Sequence, residues 1–159
     1  MIEDITIFKS RRINKRLLIL KKEFDKSVKV EIDYVNKNIT IFDCLSYSNC
    51  LILEKFYQDY SVSVKGDVYL MKKNLKQLPK ILFKEVNGFY CQGNYLTSLK
   101  NCPEKVIQSF KCTGNLLSSL EYCPEEVGGC FTCSNNLSSF TKEDVEKYCK
   151  VKRSIYWIM

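Results

Sequence analysis

The sequence predicts an α+β protein. A short solenoid of stacked repeats forms a parallel β-sheet, closed at one end by an N-terminal helix plus β-hairpin cap and at the other by a C-terminal capping helix. Three observations predict this. Cys91, Cys112 and Cys133 recur every 21 residues, as do Cys102 and Cys123, and such a period marks supersecondary units that bury their apolar faces only by stacking. Val28, Val30, Ile32 and Tyr34 alternate with Lys29, Glu31 and Asp33, the period of a strand with one face inward. Ile13, Leu17, Leu20 and Phe24 follow a helical spacing, as an amphipathic helix requires.

In chain order, the helical spacing predicts a helix over 10–26. The alternating run, a turn at Val35-Asn36-Lys37-Asn38 and a second alternation at Ile39 and Ile41 predict the hairpin. A second helix is expected from Cys50 to Tyr57, then short strands at Ser61–Val64 and at Gly66-Asp67-Val68. Residues 1–65 form a basic α/β capping module in this reading, 66–140 hold four repeats, and 141–159 form the C-terminal cap. There Thr141 is an N-cap, with Glu143 and Asp144 in the first turn of a helix reaching Cys149. Ile155, Trp157 and Ile158 complete the cover over the last repeat.

The repeats align on their cysteines. Phe89-Tyr90-Cys91-Gln92-Gly93-Asn94-Tyr95-Leu96-Thr97-Ser98-Leu99 is followed by Phe110-Lys111-Cys112-Thr113-Gly114-Asn115-Leu116-Leu117-Ser118-Ser119-Leu120. A third copy, Phe131 to Phe140, is one residue shorter after its Asn. A degenerate first copy is read as Tyr69-Leu70-Met71-Lys72-Lys73-Asn74-Leu75, with the same deletion. In Phe-x-Cys the outer residues point inward and the middle one outward. The Asn satisfies backbone groups of the turn and is expected to stack on the Asn of the next copy as a ladder.

The pattern Phe-x-Cys-x-x-Asn-x-Leu-x-x-Leu resembles the leucine-rich repeat, with aromatic and Cys residues in place of the first two leucines. The Leu78-Pro79 ending and the repeat length resemble the short bacterial class. The linkage Cys-Pro-Glu-x-Val, followed by Gly-Gly at Gly128-Gly129, resembles a variant found in phage and prophage proteins of AT-rich hosts. The resemblance implies a binding scaffold, since fold alone specifies no chemistry.

Composition narrows the function. With nine Cys but no His among 159 residues, the chain lacks the commonest general acid/base and the partner that activates Ser or Cys nucleophiles. An enzyme built on Cys133 or Cys149 therefore has no activating base, and a non-catalytic protein is expected. Free thiols are expected, because the cysteines follow the repeat period and no export signal is visible. Cys130-Phe131-Thr132-Cys133 is the sole CxxC, so a four-thiolate zinc site lacks its second pair, and no metal or cofactor is expected. No window holds 18 uninterrupted apolar residues, which predicts no membrane span. A cytoplasmic protein is expected, in the host cytoplasm if phage-encoded.

Two surfaces are candidates for binding. The outward strand positions of the repeats would present Leu70, Tyr90, Lys111 and Thr132, beside Lys72, Gln92, Thr113 and Ser134. These suit a protein partner, host-encoded if the phage resemblance holds, and point to an inhibitor or adaptor. The second candidate is the basic run Lys9, Arg11, Arg12, Lys15, Arg16, Lys21 and Lys22, in a chain of net charge +7. It suits phosphate groups, and so nucleic acid or a competitor for a nucleic-acid site.

Overall fold

The computed structural model describes residues 28–156. The helix expected over 10–26, the basic run from Lys9 to Lys22, and Trp157 and Ile158 lie outside the described residues.

The chain opens with an antiparallel hairpin, β1 (Val30–Asp33) and β2 (Asn38–Ile41), Ile32 pairing with Ile39. The Asp33 carboxylate closes the turn by accepting the N–H groups of Val35 and Asn36, each at 3.0 Å. These bonds, chiefly the one from Asn36, hold its pKa below the ordinary carboxylate value. β3 (Leu45–Ser46) leads into α1 (Tyr47–Phe56). The helix begins three residues before the expected Cys50, because the Ser46 hydroxyl caps it by accepting the Asn49 N–H.

The remaining strands are β4 (Ser61–Val64), β5 (Val68–Tyr69), β6 (Leu82–Val86), β7 (Phe89–Tyr90), β8 (Lys105–Val106), β9 (Phe110–Lys111), β10 (Glu126–Val127) and β11 (Cys130–Thr132). After α2 (Lys142–Glu146) come β12 (Lys150–Val151) and β13 (Ser154–Tyr156). The architecture is α+β, with two sheets where the sequence predicts one. Sheet 1 has seven strands ordered β1-β2-β4-β6-β8-β10-β12, and sheet 2 has six ordered β13-β11-β9-β7-β5-β3. From β2 onward every pairing is parallel. Each pass of the chain thus adds one strand to sheet 1 and one to sheet 2, and both sheets run without a break across residue 65.

The Cys-Pro-Glu-x-Val linkages supply the unexpected strands β8 and β10. Val106 and Val127 are fully buried there while Lys105 and Glu126 face out.

Between the sheets lies one continuous core. Phe89, Phe110 and Phe131 run through it in register, with ring centroids 5.9 and 5.0 Å apart. Cys91, Cys112 and Cys133 are buried beside them. The pairing of Val68 with Phe89 corrects the phase of the first copy. Val68-Tyr69-Leu70 is its strand, so Leu70 is fully buried, in the place of Cys91, and is not on the outward face. The first copy is also not a residue short, since Val68, Phe89, Phe110 and Phe131 are evenly spaced by 21. One backbone position confirms the phase. Lys72, Gly93, Gly114 and Asn135 all adopt positive φ, between 52° and 67°, a conformation that favours Gly and Asn.

The Asn ladder differs from expectation. Asn115 Nδ2 donates to the carbonyls of Cys91 and Cys112 (3.1 and 3.0 Å), and its Oδ1 accepts the Leu96 N–H (3.1 Å). Asn94 and Asn136 bond in the same way. Each amide joins its own strand end to the backbone of the preceding pass, where unpaired buried groups need partners, and none of these bonds runs to another Asn.

At the C-terminal end, Thr141 and Asp144 form a reciprocal capping box on α2. The helix stops at Glu146, short of the expected Cys149. The chain then resumes the pattern: Ile155 pairs with Phe131 in β13, the edge strand of sheet 2, and packs against the core.

Candidate functional site

The outward face of sheet 2 follows from strict alternation. With Val68, Phe89, Phe110 and Phe131 inward, Tyr69, Tyr90, Lys111 and Thr132 form one outward column, extended by Ser46 on β3. The Tyr69 and Tyr90 rings are stacked, 5.4 Å apart and inclined by 16°. The Lys111 ammonium lies over the Tyr90 ring at 5.6 Å from its centroid, within cation–π range. Two aromatic rings and one cation therefore form a single pile along neighbouring strands.

The loop side fixes this pile. Tyr69 donates its hydroxyl hydrogen to Asp67 Oδ2 at 3.0 Å, and Asn87 Nδ2 donates to Asp67 Oδ1 at 2.7 Å. The bond to Asp67 is the largest cause of a Tyr69 pKa pushed up to about 12. Burial raises that of Tyr90. A Cβ on Gly88 would lie 2.8 Å from the Tyr90 ring. The small residue at this point in the repeat, replaced by Ser109 and Cys130 in the next copies, therefore gives Tyr90 room.

The second outward column is Met71, Gln92, Thr113 and Ser134, all half-buried. Lys72 does not belong to it: the corrected phase places Met71 there and leaves Lys72 exposed at the positive-φ turn. Gln92 Oε1 is shielded and has no hydrogen-bond partner among the described residues. The structure thus brings Tyr90, Lys111, Thr132, Gln92, Thr113 and Ser134 onto one face and removes Lys72 and Leu70. Tyr69 and Met71 are the members that sequence reasoning missed; counting back 21 from Phe89 instead of aligning on Asn74 finds them.

Sheet 1 presents a different outward face. Lys105 bridges Glu85 (3.6 Å) and Glu126 (3.8 Å), Lys65 pairs with Glu85 (3.4 Å), and Lys152 pairs with Glu126 (2.9 Å). The bond from Lys152 is the main reason Glu126 has a lowered pKa.

The cysteines take up core positions. All nine are free. The thiols of Cys91 and Cys112 donate to the carbonyls of Lys111 and Thr132, each at 3.4 Å. Burial pushes Cys91 up to about 12 and Cys133 up to about 11, so both are protonated at neutral pH and poor nucleophiles. Cys130 and Cys133 are three apart on an extended strand, one half-buried and one buried, and so point to opposite sides. Among the described residues no group of three His, Cys, Asp or Glu side chains is arranged to hold a metal. No described helix is long and apolar enough to cross a membrane.

Compared with protein families, with curated proteins and with solved structures, the chain matches none.

Proposed function

We propose that this chain is a short leucine-rich-repeat-like solenoid that acts as a non-catalytic protein-binding module through the outward face of sheet 2. The observation that carries the reading is the Tyr69-Tyr90-Lys111 pile on a face whose neighbouring column, Met71, Gln92, Thr113 and Ser134, is uncharged. Tyr and Met are enriched at protein interfaces and tyrosines often dominate their energetics, while charged residues are depleted at interface centres. Six strands span five steps of about 4.8 Å, a face about 24 Å across. The lack of His and the protonated core thiols support a role without catalysis. The phage-like linkage makes a host-encoded protein the partner class, bound in the cytoplasm by an inhibitor or adaptor.

The test is affinity capture from a bacterial host lysate with three baits: wild type, Y69A/Y90A and K84A/K105A. A stoichiometric protein retained by wild type and K84A/K105A but lost by Y69A/Y90A supports the reading. Equal loss in both variants, or recovery of nucleic acid alone, overturns it.

A further inference from the structure

A second feature lies on the turns that lead from sheet 2 back to sheet 1, beside the start of β6. Lys76, Lys80 and Lys100 line one cavity of about 540 Å³. The other lining residues are Gln58, Gln77, Thr97, Ser98 and Asn101, with one apolar side chain, Leu82. Among the described residues no carboxylate lines it. Glu54 lies in the neighbouring cleft, where it accepts the backbone N–H of Lys80 at 2.9 Å.

The repeat explains how the charges gather. Lys76 and Lys80 in the turn of one pass correspond to Thr97 and Asn101 in the next, and Lys100 is the next pass's own substitution at the place of Pro79. One pass further, the corresponding residues are Ser118, Tyr122 and Glu121. The three lysines therefore line one cavity only where the turns after β5 and β7 meet, and the sign reverses at the next turn, at Glu121. None of the three lysines forms an ion pair with a described residue, whereas seven other lysines do.

Three unpaired like charges around one concavity repel, and an anion seated between them removes that repulsion. The surrounding side chains suit an oxyanion. The Ser98 Oγ accepts the Lys100 backbone N–H at 3.2 Å, leaving its own hydrogen to donate, and amides and hydroxyls donate to phosphate oxygens. Lysine serves phosphate as a point charge. The volume lies in the range of small-molecule pockets. An extended nucleic-acid strand would need the charge to continue onto the next turn, where Glu121 stands instead.

We propose that this cavity binds a compact anion carrying two or more phosphate groups, with Lys76, Lys80 and Lys100 as the charged contacts and Ser98 and Thr97 as hydroxyl donors. The site is separate from the sheet 2 face and does not rest on its role.

The test is calorimetric titration of the full chain with inorganic tripolyphosphate, with a 20-nucleotide oligothymidylate as a second arm. The proposal expects one saturable site, weakened about threefold to tenfold by each of K76Q, K80Q and K100Q, and at least about 30-fold by the triple variant. It expects K84Q/K105Q and R11A/R12A/R16A to bind within about twofold of wild type. Circular dichroism checks that each variant is folded. Unchanged binding in the lysine triple variant, equal loss in R11A/R12A/R16A, absence of saturation, or tighter binding of the oligonucleotide than of tripolyphosphate would each overturn it.

Discussion

Sheet 1 and sheet 2 are built from the same passes of chain and share one core, yet their outward faces have opposite characters. On sheet 1, Glu85, Lys105, Glu126 and Lys152 neutralise one another across neighbouring strands. On sheet 2, the equivalent column is Tyr69, Tyr90, Lys111 and Thr132, held by ring stacking and one cation. Exposed ion pairs contribute little to stability, about 0–1 kcal/mol each, but they leave a surface with few unmet electrostatic demands. A pile of aromatic rings offers contact area at low conformational cost. One repeat can therefore produce an ion-paired face and an aromatic face simply through what occupies its outward positions.

The comparison requires both faces to depend on the same interior. Phe110→Ala removes the ring packed between Phe89 and Phe131 and should destabilise by about 3–5 kcal/mol. Chemical denaturation followed by circular dichroism and by tyrosine fluorescence should show one coincident transition at lower denaturant. Two separated transitions would break the idea of a shared core.

Asn115→Ala comes next. It leaves the Leu96 N–H without its partner and takes one hydrogen bond each from the Cys91 and Cys112 carbonyls, which should cost about 2–4 kcal/mol in denaturant midpoint measurements. Asn115→Asp should not rescue it, because a carboxylate supplies no donor for the two carbonyls.

A smaller effect separates the faces by alkaline titration. The folded Tyr69 pKa is raised from its ordinary value of 10.0 to about 12. The stabilisation from its bond to Asp67 is therefore complete below pH 10 and lost as pH rises through about 12. Tyrosinate absorbance of Tyr69→Phe should lack one late-titrating group relative to wild type. Loss of an early-titrating tyrosine instead would show that the bond to Asp67 does not form.

The smallest effect belongs to sheet 1. Glu126 has a lowered folded pKa, so its contribution is present above the ordinary Glu range and disappears as pH falls through the folded value. Glu126→Gln should slightly lower Tm at pH 7 and match wild type at strongly acid pH. Tm values that differ equally at both pH values would remove the charge explanation.

Much of the fold is legible because three copies carry Phe, Cys and Asn at strict positions, and two alternating runs predict the hairpin. The first copy is misread for a physical reason: Val68, Leu70 and Lys73 occupy the Phe, Cys and Asn positions, while Asn74, one residue late, imitates the motif. Its phase is visible only in the positive φ at Lys72 and in the pairing of β5 with β7. The continuation of sheet 1 through the repeats is obscured because β8 and β10 are two residues long, too short for alternation to appear. Tyr90, Lys111 and Gln92 are reachable from sequence by their neighbours in the motif. The lysines of the cavity are not, because Lys100 belongs to a different turn from Lys76 and Lys80 and joins them only when one pass is laid on the next.

The asparagine clamps give the molecule a polarity along its long axis. Asn94, Asn115 and Asn136 each reach backward, securing the turn of the pass before them. Every turn in this series is thus guaranteed by the residue that follows it in the chain, and damage travels toward the N-terminus. Loss of Asn136 would first loosen the amide of Leu117, whereas loss of Asn94 would loosen Lys73 and Leu75 and leave later turns protected. Hydrogen exchange should record this molecule fraying in one direction, like a row of tiles in which each pins the edge of its predecessor.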